Sequence, residues 1–146
     1  MKVIGYNLTK VLAEKKADSK SISSINTTIE FINIEKDKIE NIKDFEVIKV
    51  DFSFRVGYDS QTDKKDTTLK IARIELEGNL IFAANKEEAK ELLKFSKKKD
   101  MPTSMKVPLN NVIFKKCLAR AVELEESMNL PYHIPIPQAT LQQQKQ

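Results

Sequence analysis

A chain of 146 residues with 40% hydrophobic and 32% charged residues has enough apolar material for one core of ordinary size, which points to one domain rather than several. Its net charge of +4 and pI near 9.0 favour solubility and permit an anionic partner without demanding one. The single cysteine, Cys117, excludes an intramolecular disulfide, and no apolar run approaches the roughly 18 residues of a membrane span, so a soluble protein of a reducing compartment, the cytoplasm, is expected.

In chain order, Leu8, Val11 and Leu12 stand at helical spacing behind a potential cap at Asn7, which predicts a short helix over 7–18. Ser19 to Ser24 interrupts that pattern. Ile25, Thr27, Ile29 and Phe31 then alternate, and Ile32 and Ile34 continue in the opposite phase, which predicts a strand with a bulge near Phe31. After a charged loop, Phe45 to Tyr58 is the clearest strand. Ile48, Val50, Phe52, Phe54, Val56 and Tyr58 lie on one face, and Lys49, Asp51, Ser53 and Arg55 on the other. One face is therefore expected to be buried and one wet, as in an antiparallel sheet covered on one side.

A polar turn over 59–67 leads to a further strand, Thr68 to Phe82, with a phase shift at Ala72–Arg73. Gly78 inside this run marks either a bend or a place where another chain comes close. Asn85 with Glu88 three residues on forms a capping-box-like start for a helix that carries Ala89, Leu92 and Leu93 and ends in Lys97, Lys98 and Lys99. Pro108 suits the first turn of a second helix, expected to run to about Asn129, where Pro131 ends it. Ile134-Pro135-Ile136-Pro137 must be extended. These readings give an α+β domain over 1–137 and a disordered Gln-rich tail over 138–146.

The second helix carries more apolar surface than one sheet needs. At 100° per residue, Ile113, Phe114, Cys117, Leu118, Ala121, Val122, Leu124 and Met128 span an arc of about 180°, where a helix lying on a sheet uses about 100°. Either the Asn85–Lys99 helix or a partner subunit must cover the remainder.

Residues that could carry chemistry are few. His133 is the only histidine and has no second histidine or cysteine cluster to complete a zinc set. Cys117, on the apolar side of the long helix, reads as a small buried hydrophobe. Glu75 and Glu77 alternate with Ile74 and Leu76, so a wet strand face explains them. An enzymatic role would need them in a concave pocket with Asp51 or His133 nearby. Gly5, Gly57 and Gly78 form no phosphate-cradling motif. No catalytic residue, metal or cofactor is expected, and the chain is read as a binding protein.

From Phe45 to Pro137 the sequence resembles the SecB family of export chaperones. The resemblance rests on Gly78-Asn79-Leu80-Ile81-Phe82 at the end of a long strand and on Pro108-Leu109-Asn110-Asn111-Val112-Ile113-Phe114 opening the long helix. It continues through Cys117-Leu118-Ala119-Arg120 and the Pro-punctuated stretch from Leu130-Pro131 to Ile136-Pro137. The family's fold would be an antiparallel sheet of about four long strands with helices packed on one side.

The resemblance further implies a dimer of dimers assembled through the helices, and ATP-independent holding of unfolded polypeptides for export or, in some members, of an antitoxin. On that basis the client surface is placed at Phe52, Phe54, Tyr58, Leu76, Phe82, Phe114 and Leu118, residues that would equally build an ordinary core. The oligomer interface is placed at Ile113, Cys117, Ala121, Leu124 and Met128. The family's proline after the helical Phe is Lys115 here, its second C-terminal helix is cut to the short Gln-rich tail, and its acidic motor-docking position falls at Arg73 or Ile74. A SecA-type motor is therefore not an expected partner. The alternative is a nucleic-acid-associated module using Lys94, Lys97, Lys98 and Lys99. Against it stand the scarcity of arginine, confined to Arg55, Arg73 and Arg120, and the lack of an aromatic platform.

Overall fold

The computed structural model describes residues 1–16, 22–37, 44–61, 68–95 and 101–141. Four long strands, β1 (Lys2–Lys15), β2 (Ser24–Lys36), β3 (Glu46–Gln61) and β4 (Thr68–Ala84), precede two helices, α1 (Lys86–Lys94) and α2 (Thr103–Ser127). The strands form one antiparallel sheet in the order β1-β4-β3-β2. β2, β3 and β4 follow one another, and β1 lies beside β4, a Greek-key arrangement. This is the expected α+β fold with an antiparallel sheet of four long strands.

The expected helix over 7–18 is instead the edge strand β1 as far as Lys15, and residues 17–21 lie outside the described part. Extra residues in β1 explain the misreading. Pairing with β4 skips Ile4 and Thr9, and each bulge shifts the alternation by one. The helix-facing set becomes Val3, Tyr6, Leu8, Val11 and Ala13, whose spacings of three and two imitate a helical repeat. The bulge expected near Phe31 is present at Ile32, between Phe31 and Asn33. The one expected at Ala72–Arg73 falls at Ile71, which the pairing with β3 passes over.

α1 begins as the sequence indicates. Asn85 accepts from the Glu88 backbone N–H at 2.8 Å, and its side-chain amide returns to Glu88 Oε1 at 3.0 Å. The expected cationic end at 97–99 lies outside the described residues. α2 starts at Thr103 behind Pro102 and holds Pro108 in its sixth position, five residues earlier than expected. At that position the proline φ suits the helix, and only the Ser104 carbonyl, on an exposed residue, loses its N–H partner. At the other end Leu130 N–H donates to the Glu125 carbonyl and Asn129 N–H to that of Glu126, with Asn129 at φ 50°. This is a Schellman stop with asparagine in the left-handed position. Lys15 Nζ donates to the Met128 carbonyl at 3.0 Å, supplying from β1 the positive charge that the last turn of α2 lacks.

The helix-facing side chains of β3 and β4 form the core. Ile48, Val50, Phe52, Phe54, Val56, Tyr58, Ile74, Leu76 and Leu80 are wholly buried, together with Ala89 of α1 and Leu109, Ile113, Cys117 and Ala121 of α2. α1 packs on β2, β3 and β4, while α2 packs on β4 and reaches β1 and β3 through side chains, and the helices form no extended pair with each other.

Candidate functional site

The core accounts for most of the residues expected to hold a client. Phe52, Phe54, Tyr58 and Leu76 have no exposed surface and Phe82 has 1%, so these five are corrected to core residues. Strand alternation selects the face that will be covered but carries no information about what covers it. Phe114 and Leu118, on α2, remain exposed. The interface expectation divides in the same way. Ile113, Cys117 and Ala121 are sealed against the sheet within one protomer and are corrected to core residues, whereas Leu124 and Met128 are half-buried.

The reason lies in how α2 seats. It buries a single row at i, i+4 spacing, Leu109, Ile113, Cys117, Ala121 and Glu125, which is narrower than the apolar arc of the helix. The adjacent side carries Val107, Phe114 and Leu118, at 46%, 42% and 36% exposure, stacked close to one line along the helix. α1 does not reach across to cover them. Phe114 meets the buried Phe54 edge-on, with centroids 6.3 Å apart and planes at 88°. Beyond Phe54 lies β2, where Ile25, Ile29 and Phe31 pair with Tyr58, Phe54 and Phe52 and so point to the same side, only partly covered. Together these residues make an accessible apolar shelf between α2 and the β2 edge. On the other flank of α2, Tyr6 of β1 stacks with Phe52 at 6.3 Å, lies under Lys116 Nζ at 5.8 Å, and meets Cys117 Sγ at 3.9 Å. Burial pushes the Cys117 thiol up to about 11, so the group stays protonated and unsuited to nucleophilic work.

Sequence reasoning missed the polar anchor at the end of the shelf. Glu125, with no exposed surface, accepts from Tyr58 Oη–H at 2.5 Å and from the His133 backbone N–H at 2.6 Å, and it meets His133 Nδ1 at 2.6 Å. Burial, reinforced by Glu125, holds the Tyr58 hydroxyl well above the usual phenol range. The ring of His133 lies edge-on to Phe54, 5.8 Å between centroids. Next to it, Tyr132 donates to Glu126 at 2.5 Å. The chain leaving α2 is thereby fastened back over the sheet. The signal was present in the sequence, because extending the i, i+4 row through Ala121 lands on Glu125, and a charged residue in a buried row requires partners.

The outer face of the sheet is polar. Lys10 of β1, Glu75 of β4, Arg55 of β3 and Glu30 of β2 alternate in sign across all four strands, at 3.5, 3.5 and 3.9 Å. Arg73 pairs with Glu14. Glu75 lines an open groove of about 710 Å³ with Asn26, Arg55, Gly57 and Arg73, but Asp51 is not among its walls and His133 is on the opposite face. The constellation that acid–base chemistry would need is therefore not assembled. Burial alone would raise the Glu75 carboxyl, yet Lys10 and Arg55 outweigh it and hold the group below its ordinary value. A depressed carboxylate stabilises the fold above its unfolded-state pKa, and that stabilisation is lost as pH falls through the folded-state value. Glu75→Gln should therefore lower thermal stability at neutral pH and converge with the parent on acidification. Parallel melting curves of the two proteins across the acid range check this.

Among the described residues no cluster could hold a metal ion, and no helix is long and apolar enough to cross a membrane. No family model matches the sequence, and no curated protein matches it. The fold is similar to that of a solved structure from Mycobacterium tuberculosis, the SecB-like chaperone Rv1957 in complex with a ChAD peptide from the Rv1956 HigA1 antitoxin. The TM-score is 0.50 at 14% identity, over 99% of this chain and 92% of that one. The likeness in fold thus extends beyond the stretch from Phe45 to Pro137 on which the sequence resemblance rests.

Proposed function

We propose that the protein is an ATP-independent holdase that binds non-native polypeptides on the helix side of its sheet. The observation that carries the reading is the exposed apolar line Val107, Phe114 and Leu118 beside the partly covered Ile25, Ile29 and Phe31. A lone protomer leaves this surface wet, and such surfaces mark binding sites for apolar segments. Likeness in fold to a SecB-like chaperone that holds a peptide supports the same conclusion. The client surface proposed is accordingly Phe114 and Leu118 with Val107, Ile29 and Phe31, and the five buried strand residues serve as the rigid floor beneath. Assembly into a dimer of dimers through the free sides of α2 belongs to this reading, with Leu124 and Met128 at its margin.

The test is suppression of aggregation of a reduced, unfolded client by the pure protein without nucleotide. The parent should suppress at a few-fold molar excess. Phe114→Asp with Leu118→Asp should lose most of that activity while keeping the far-ultraviolet spectrum of the parent. Equal suppression by the double variant, or none by the parent, would remove the proposal. Light scattering is expected to give a tetramer, and a monomer would remove the assembly through α2.

A further inference from the structure

α1 carries a second surface of a different kind. Lys86, Lys90 and Lys94 follow one another at i, i+4 spacing, all exposed. They border a groove of about 520 Å³ completed by Lys36, Glu46 and the half-buried Leu93. Among the described residues Glu46 is the one carboxylate in its walls, and it pairs with Lys36 at 3.3 Å. Among the described residues no acidic group pairs with Lys86, Lys90 or Lys94, although Glu87 and Glu91 stand on the same short helix. Like charges at i, i+4 weaken a helix, and α1 has only nine residues. Lys86, in the first turn, also opposes the helix dipole. Only Lys94, in the last turn, suits the dipole, so helix electrostatics favours one lysine of the row and not the other two.

We propose that this groove docks an extended acidic segment of another polypeptide. The spacing of the lysines selects that shape. Successive charges on the row stand about 6 Å apart along the helix axis, and side chains on one side of an extended peptide repeat at about 6.8 Å. Carboxylates at every second residue of the ligand thus meet three lysines in turn, while its backbone passes over Leu93. A nucleic acid fits less well, because the described residues of the walls include neither an aromatic ring for base stacking nor an arginine for base reading. The site lies apart from the shelf beside α2, so it takes a partner chosen by charge and leaves the apolar surface free.

The experiment is fluorescence anisotropy on the full chain with labelled peptides at low ionic strength. One peptide alternates three glutamates with serines, and a second has the same composition with the glutamates contiguous. A third probe is a single-stranded RNA oligomer of similar length. The alternating peptide should bind most tightly and weaken as salt rises. The triple variant K86Q/K90Q/K94Q should lose about tenfold in affinity, as expected for three exposed ion pairs. K86R/K90R/K94R should bind like the parent. Both variants should melt no lower than the parent, since the first relieves repulsion and the second preserves the helix. Client holding should be unchanged in each. Unchanged binding by the glutamine variant, equal binding of the contiguous peptide, or tighter binding of the RNA would overturn the proposal.

Discussion

Replacing Gly78 by alanine should destabilise the protein by about 3 kcal/mol, the scale of forced overpacking in a closed interior, and lower its melting temperature by roughly 10 °C. A Cβ at Gly78 would stand 2.2 Å from the Asn7 carbonyl oxygen and 3.1 Å from Leu8 Cα. Both are backbone atoms of β1, so no rotamer change can relieve the contact. The strand must move, and with it Tyr6, whose ring stacks on Phe52. The same substitution at Gly57 supplies the control. There a Cβ would find only the Asn26 carbonyl oxygen, at 4.0 Å, and the gain in backbone order should make Gly57→Ala neutral or stabilising by about 0.5 kcal/mol. Denaturant titration of the two variants measures the difference, and amide exchange in Gly78→Ala should rise first in β1. Equal stabilities would show that β1 does not press on β4 as described.

Removing the Glu125 side chain is the second large effect. Glu125→Ala strands the Tyr58 hydroxyl and the His133 N–H groups in a site with no exposed carboxyl surface. Each orphaned donor costs about 1–3 kcal/mol, and loss of one member of such a buried set typically costs about 3–5 kcal/mol. The change should also release the chain beyond Leu130 from Phe54, making Tyr132 and His133 sensitive to protease. Glu126→Ala, one residue on, gives up a single exposed bond to Tyr132 and should cost under about 1 kcal/mol. If the two variants are equally stable, the buried anchor has been misplaced.

What could be read in the sequence follows from where the local signal is undisturbed. β3 has no bulge between Glu46 and Tyr58, and its alternation named the six residues it sends under the helices, though not Val47, which is buried in the other phase. Asn85 and Glu88 announced α1, whereas Gly78 left a bend and an approaching chain as alternatives, and its neighbour is β1 of the same chain. β1 was unreadable because two inserted residues scrambled its period. The start of α2 was misjudged because proline is tolerated deeper in a helix when the carbonyl it leaves unpaired is wet. The candidate site was half legible. Phe114 and Leu118 belong to the broad apolar arc of the long helix and are exposed. Phe52, Phe54 and Tyr58, placed by alternation on the face to be buried, were offered as client surface as well, because a pattern of faces does not say which side chains the helices will cover. Glu125 and His133 meet only through the reversal at Asn129, which no local spacing reports.

The strand order has a consequence for synthesis. β1 pairs with β4 in a register that matches Lys2 with Ala83 and Lys15 with Ala72, so its partner emerges from the ribosome some 60–80 residues later. At typical elongation rates that is a wait of about 3–16 s, during which Val3, Tyr6, Leu8 and Val11 have no neighbour. The charges of Lys2, Lys10, Glu14 and Lys15 and the polar Asn7 and Thr9 interrupt the apolar pattern that an unpaired segment would otherwise offer to its nascent neighbours on the polysome. Those charges leave the waiting segment no long apolar run to offer.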